Sequence, residues 1–203
     1  PVRYISNESS GKQGFEIALA LDKLGIKTTL ITGPSNFVPP KSIKIKKIIS
    51  ANEMLNAVKK VLPVDLAVCA AAVADFKPVE QSKNKIKKSS PNWKSIDLIK
   101  NNDILEYISK NNKNRPRLVA GFSAETENLI ANSINKMNKK HCDLIIANDV
   151  SKRGIGFNSD YNKISLIDRS GNIKVLPKNK KSYIAKKIAQ ILADKLINDR
   201  NFN

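Results

Sequence analysis

Asp65-Leu66-Ala67-Val68-Cys69-Ala70-Ala71-Ala72-Val73-Ala74-Asp75 is the stretch that decides the fold class. Its first part, Asp65–Ala72, is short and apolar without polar alternation, then shrinks to alanines and ends in an acid. Such a run reads as a strand buried on both faces, the signature of a parallel sheet under helices. Lys27–Thr32, Arg117–Phe122 and Asp143–Ala147 read the same way. Helical spacing fills the intervals. Phe15, Ala18, Leu19, Asp22 and Lys23 continue a helix that Gly25 stops, and Ala51–Leu62 is a second, ended by Pro63. Asp103–Lys110 and Glu125–Lys139 are further candidates, and Asn179–Asn198 closes the chain. The alternation predicts an α/β fold in three layers, a mostly parallel sheet with helices on both faces.

Two segments break this pattern. Lys163–Asp168, the turn Ser170-Gly171 and Asn172–Leu176 predict a late β-hairpin at a sheet edge or as an arm. Lys77–Ser95 is polar and holds Pro78, Pro91 and the run Lys83–Lys88, so it reads as a long functional or disordered loop. The charge runs Lys46-Lys47, Lys59-Lys60 and Lys180-Lys181 read as solvated faces. No internal repeat or second domain boundary is visible, so residues 1–203 are read as one domain.

The net charge of +18 raises nucleic acid as a partner. Against it, the basic residues are 30 Lys and 6 Arg, whereas base and phosphate recognition favours the planar fork of Arg. Aromatic residues for stacking are only 5 %. The abundance of Lys, Asn and Ile fits a codon bias, and the positive field suits small polyanions such as nucleotides. No apolar run approaches the roughly 20 residues a membrane helix needs. Cys69 and Cys142 lack zinc-site spacing and read as two buried thiols of a cytoplasmic protein.

Five segments hold chemistry-bearing residues. Asn7-Glu8-Ser9-Ser10-Gly11-Lys12-Gln13-Gly14 leads into a helix, where small residues and free N–H groups suit a phosphate. Simple capping by Ser9 or Ser10 stands beside that reading. In Cys69–Asp75 a strand ends at alanines that leave room for a base or sugar, with Asp75 able to accept from ribose hydroxyls. Tight packing with Asp75 as a cap is the other reading. The lysines of 83–88 are either a phosphate-neutralising lid or solvated surface. Gly121-Phe122-Ser123-Ala124-Glu125-Thr126 places Phe122 where it could stack on a base or fill the core. Lys136 and Lys140 in the following helix share a face. Ala147-Asn148-Asp149-Val150 and Gly156–Asp160 are compatible with plain turn chemistry. GxGxxG is absent, which counts against a Rossmann-type oxidoreductase, and a basic nucleic-acid-binding module is the non-enzyme alternative.

The order and wording of these blocks carry a resemblance. Pro1-Val2-Arg3-Tyr4-Ile5-Ser6-Asn7 with Ser9-Ser10-Gly11-Lys12 resembles the opening signature of the phosphopantothenoylcysteine synthetase family. Ala70–Asp75 resembles its AAVAD block, Lys85-Ile86-Lys87-Lys88 its KIKK loop, and Gly121–Thr126 its GFAAET block. Ala147–Val150 is similar to ANDV and Gly156–Asp160 to GFNSD. The resemblance runs from Pro1 to about Pro177.

That resemblance implies a Rossmann-like fold and a ligase joining 4′-phosphopantothenate to L-cysteine through an acyl-cytidylate, with CTP as co-substrate, Mg²⁺, and release of pyrophosphate and CMP. By matched position it implies catalytic roles for Asn7, in handling the intermediate, and Lys85, in steadying phosphates. Ala71, Ala72 and Phe122 would border the base and Asp75 would hold ribose. Asn102, Asp103, Ile104 and Leu105 match an NPDI-type nucleotide contact, with Asn102 where Pro is usual. Lys136 and Lys140 match basic nucleotide contacts. Arg3, Asn7, Ser9, Ser10, Gly11 and Lys12 fall in the phosphate- and substrate-binding signature, with Glu8 where His is common. No metal ligand is implied. Family members form homodimers, and the late hairpin is the candidate arm. The family pattern has a strand and a Gly/Thr turn before the position of Pro1. The chain is therefore expected to be a synthetase domain lacking its first strand, the C-terminal part of a bifunctional protein whose flavin decarboxylase domain carries FMN and sets a larger oligomer.

Overall fold

The computed structural model describes residues 5–82, 84, 95–111, 113–151 and 159–198. In chain order the elements are α1 (Lys12–Lys23), β1 (Thr29–Thr32), β2 (Lys44–Lys47), α2 (Ala51–Val61) and β3 (Leu66–Cys69). Then come β4 (Phe76–Pro78), β5 (Leu98–Lys100), α3 (Ile104–Lys110), β6 (Leu118–Glu125) and α4 (Leu129–Lys140). The chain continues through β7 (Leu144–Asp149), β8 (Tyr161–Asp168), β9 (Ile173–Lys180) and α5 (Lys181–Asn198).

The main sheet has the order β3-β6-β7-β8-β9. Strands β3, β6 and β7 are parallel, and β8 and β9 add on antiparallel. Strands β1 and β2 form a separate parallel pair. The alternation of side chains across β6 and β7 builds two apolar layers. Ala120, Leu144 and Ile146 join Ile17, Leu21, Ile184, Ile188 and Leu192 on the face covered by α1 and α5. Val119, Ile145 and Ala147 join Met54, Leu55, Ile104, Ile108 and Met137 on the face covered by α2, α3 and α4. The three-layer α/β architecture expected from the sequence is thus the observed one.

Local chemistry sets the ends of several elements. Gly25 stops α1 at a φ of 77°, where a side chain is strained. Ser50 caps α2, its hydroxyl accepting from the Glu53 N–H at 3.2 Å. The helix expected over Glu125–Lys139 begins four residues later. The ladder to β7 holds Ala124 opposite Asn148 and Glu125 opposite Asp149, so the strand outlasts the small residues that suggested its end. The hairpin is present and longer than expected, because β8 starts at Tyr161 and β9 runs to Lys180. Its Pro177 is tolerated on an outer strand.

Two sequence readings need correction. Lys180-Lys181 is not wholly a solvated face, because Lys181 is buried at the start of α5; Lys46-Lys47 is exposed as expected and ends β2, paired in parallel with Ile31 and Thr32. The stretch Lys77–Ser95 is not wholly a loop at its start, because β4 pairs antiparallel with β5 and sets Lys77 opposite Ile99. Residue 83 and residues 85–94, including Lys85, lie outside the described residues. No helix among the described residues is long and apolar enough to cross a membrane. Cys142 is fully buried, and burial pushes the Cys69 thiol up to about 12.

Candidate nucleotide and phosphate site

In a parallel sheet the loops after the carboxyl ends of the strands form the ligand crevice. Here those are the turn after β3, the end of β6 and the end of β7, faced by the segment before α1. Asn7 ties two of them: its Nδ2 donates to the Ala72 carbonyl at 3.1 Å. Gly14 in the first turn of α1 brings the helix against the same loop, since a Cβ there would lie 3.3 Å from that of Ala70. Phe122 follows Gly121, the register partner of Cys69, so it stands beside the start of this loop. It is half-buried and packs on the α1–α5 layer, which serves the core reading directly. Ala71 and Asp75 are exposed, and Ala72 is half-buried.

The start of α1 bears on the capping and phosphate readings alike. Its N-cap is Gly11 in the left-handed region, which supplies no side-chain cap. Ser10 reaches only the Lys12 N–H, at 3.4 Å. Ser10 thus meets one N–H of the helix start, as the capping reading has it, and leaves the others to the phosphate reading. A helix start with uncapped N–H groups favours an anion. Lys12 is turned away toward Asp160, with an ammonium–carboxylate distance of 2.6 Å. Arg3 lies outside the described residues.

A second group forms around the start of α3. Asp103 caps this helix, its carboxylate accepting from the Glu106 N–H at 2.8 Å. Lys140 arrives from the last turn of α4 and meets Asp103 at 2.6 Å and Glu106 at 3.0 Å. Burial alone would lower the pKa of Lys140, and the Asp103 and Glu106 carboxylates more than offset it, so the ammonium is held charged. Hydrogen bonds from Lys110 and Lys140 pull the Glu106 carboxyl down to about 2. Lys136 is half-buried one turn earlier. Ile104 is buried and Leu105 packs over Gly121, so their side chains serve the core, and any ligand contact there is through backbone. Asn102 is exposed.

Asn101 is the residue that sequence reasoning missed. Its Nδ2 donates to the Ala74 carbonyl at 2.8 Å and its N–H to the Asp75 carbonyl at 2.8 Å. It thereby joins the Ala70–Asp75 loop to the Asp103 group. The only signal in the sequence is its place directly before Asn102. The structure thus gathers Asn7, Ala72, Asp75 and Asp103, with Gly11 and Phe122 adjoining, and leaves Lys12 in a separate cluster.

Residues 1–196 match the family described as the DNA/pantothenate metabolism flavoprotein C-terminal domain. The chain is 43 % identical over 194 residues to the coenzyme A biosynthesis bifunctional protein CoaBC of Borreliella burgdorferi, covering 95 % of the chain and 48 % of that protein. It is 42 % identical over 193 residues to the protein of the same name from Haemophilus influenzae, covering 95 % and 48 % respectively. The chain thus spans about half the length of the curated relatives it matches. Among solved structures, the crystal structure of the C-terminal domain of a CoaBC superposes with a TM-score of 0.76 at 31 % identity, covering 96 % of this chain and 89 % of that one. Cab2 mutant H337A, solved with phosphopantothenate-cysteine, shares the fold with a TM-score of 0.73 at 15 % identity, covering 98 % and 83 %. The chain belongs to the family of DNA/pantothenate metabolism flavoprotein C-terminal domains.

Proposed function

We propose that this domain is the ligase that joins 4′-phosphopantothenate to L-cysteine in coenzyme A biosynthesis. The observation that carries the reading is the Asn7–Ala72 hydrogen bond, which draws two of the matched blocks into one crevice beside the Gly11 start of α1. In this reading CTP is the co-substrate. The substrate carboxylate attacks the α-phosphorus, pyrophosphate leaves, and the cysteine amine then displaces CMP from the acyl-cytidylate. Activation is needed because a carboxylate has no good leaving group. In this reading Asn7 hydrogen-bonds the acyl and amide oxygens, Asp75 accepts from ribose, and Lys85 neutralises charge at the transferring phosphate.

Among the described residues no group of three or more His, Cys, Asp or Glu side chains could hold a metal ion. In this reading Mg²⁺ enters with the phosphates of the nucleotide. Mass analysis of a reaction with CTP, Mg²⁺, 4′-phosphopantothenate and isotopically labelled cysteine tests the reading. A labelled amide product is expected. CTP consumption without that product would refute it.

The same reading extends to assembly. Strands β1 and β3 each end a sheet, yet Ile31 of β1 shares an apolar layer with Ala67 and Cys69 of β3. This favours a further parallel strand, supplied by residues before Pro1, that pairs with both. It would enter α1 by a right-handed crossover. Exposed Tyr161, Ile173 and Val175 favour the β8–β9 hairpin as a homodimer arm. A fused FMN-bearing decarboxylase domain is the proposed origin of the remaining half of the relatives' length. Amide exchange in the full-length protein tests the strand: the N–H groups of β1 and β3 should be as protected as those of β6.

A further inference from the structure

The loop Ala70–Ala74 has no regular structure, and two asparagine amides hold it. Asn7 reaches the Ala72 carbonyl from the segment before α1. Asn101 reaches the Ala74 carbonyl from the end of β5, at 2.8 Å, and its main-chain N–H takes the next carbonyl, that of Asp75, also at 2.8 Å. These two carbonyls belong to the peptide planes on either side of the Asp75 Cα. One residue therefore fixes both planes, and with them the direction of the Asp75 Cα–Cβ bond. Asp75 is exposed and its side chain is short, so that direction decides where its carboxylate can reach.

Asn101 is itself anchored on both sides. Before it, Lys100 pairs with Phe76 in the β4–β5 ladder. After it, Asp103 caps α3 at 2.8 Å and meets the Lys140 ammonium at 2.6 Å. Its amide is nevertheless half satisfied. The Ala74 carbonyl takes the Nδ2 end, and Oδ1 is buried with no donor among the described residues. Buried polar atoms are nearly always paired. An alanine would avoid the unpaired oxygen and give up only a loop contact. A donor kept against that penalty is one whose position serves a site.

We propose that Asn101 is the positioning residue for Asp75: it aims the carboxylate at a ribose hydroxyl of the nucleotide without touching the nucleotide itself. This inference deepens the ligase reading and rests on it for the identity of the nucleotide.

Equilibrium binding of CTP, 2′-deoxy-CTP and 3′-deoxy-CTP to the full-length protein tests it. The unaltered protein should prefer CTP by about tenfold over the analogue that lacks the hydroxyl Asp75 holds, the scale of a hydrogen bond to a charged group. Asn101→Ala should weaken CTP and leave that analogue nearly unchanged, so the preference falls to about threefold or less. Asn101→Ser, too short to reach Ala74, should do the same. In an Asp75→Ala background the preference should be gone, and adding Asn101→Ala should change CTP binding by less than about twofold. A purely structural role would weaken all three nucleotides by the same factor, and that result overturns the inference. So does an unaltered protein that binds all three alike, whatever the folding of the variants. Should either result come from a protein that makes the labelled amide, the ligase reading survives. Collapse of the preference in a protein that makes no amide would sink the ligase reading alone.

Discussion

The Asn7 side-chain amide donates to the Ala72 carbonyl across 3.1 Å and 65 residues of sequence. It fixes where the segment before α1 lies relative to the loop after β3. Asn7→Asp replaces the donor with a carboxylate facing a carbonyl, so the tie is lost. Both residues lie at the surface of the crevice, so stability should change by less than about 1 kcal/mol. The expected outcome is retained pyrophosphate release with loss of the amide product, read by assaying both on one sample.

Glu106 is bonded by Lys110 at 2.6 Å and by Lys140 at 3.0 Å. Its folded pKa of about 2 lies below the ordinary glutamate value of about 4.3. The sign follows: its contribution is complete above that ordinary value and is lost as pH falls through the folded value. Glu106→Gln should destabilise by about 1 kcal/mol or less at pH 7, since the carboxylate is partly solvated. Urea unfolding of both proteins should show the gap closing between about pH 4 and pH 2.

At the opposite end of the strands, Arg115 binds both oxygens of Asp143 at 2.9 Å and donates to the carbonyls of Ser109 and Pro116. Asp143 in turn accepts the Val119 N–H at 2.8 Å. Arg115→Lys keeps the charge but cannot reproduce the fork. It should cost about 2 kcal/mol in thermal or urea unfolding, the scale of lost charge-assisted bonds. Ligase turnover per folded molecule should be unchanged.

Gly121 has no room for a side chain. An added Cβ would lie 2.6 Å from a Leu105 methyl and 3.1 Å from the Ile145 Cδ1. Leu105 can rotate, but Ile145 is fully buried. Gly121→Ala should therefore cost about 1–2 kcal/mol of stability. Adding Leu105→Ala should recover part of it, a coupling that a double-mutant cycle in urea measures.

The layered fold was legible because β6 and β7 are apolar on both faces and the helices carry clear spacing. What escaped was set by pairing. Lys44–Lys47 looks like a solvated run and becomes a strand only because β1 offers an edge. Phe76–Pro78 becomes one only because Leu98–Lys100, twenty residues on, returns to meet it. At the site, motif order pointed to Asn7, Ala72, Asp75 and Asp103, whose segments the hydrogen bonds of Asn7 and Asn101 link. It could not show that Asn101 braces that region through Ala74, because an asparagine in an Asn-rich chain carries no local signal. Nor could it show Lys12 bound to Asp160, a partner 148 residues away.

The most direct test of the account follows pyrophosphate and CMP in the full-length protein given CTP, Mg²⁺ and 4′-phosphopantothenate, with and without cysteine. Pyrophosphate is expected in both cases, CMP only with cysteine, and Lys85→Gln should suppress pyrophosphate. Absence of pyrophosphate that depends on 4′-phosphopantothenate would contradict it.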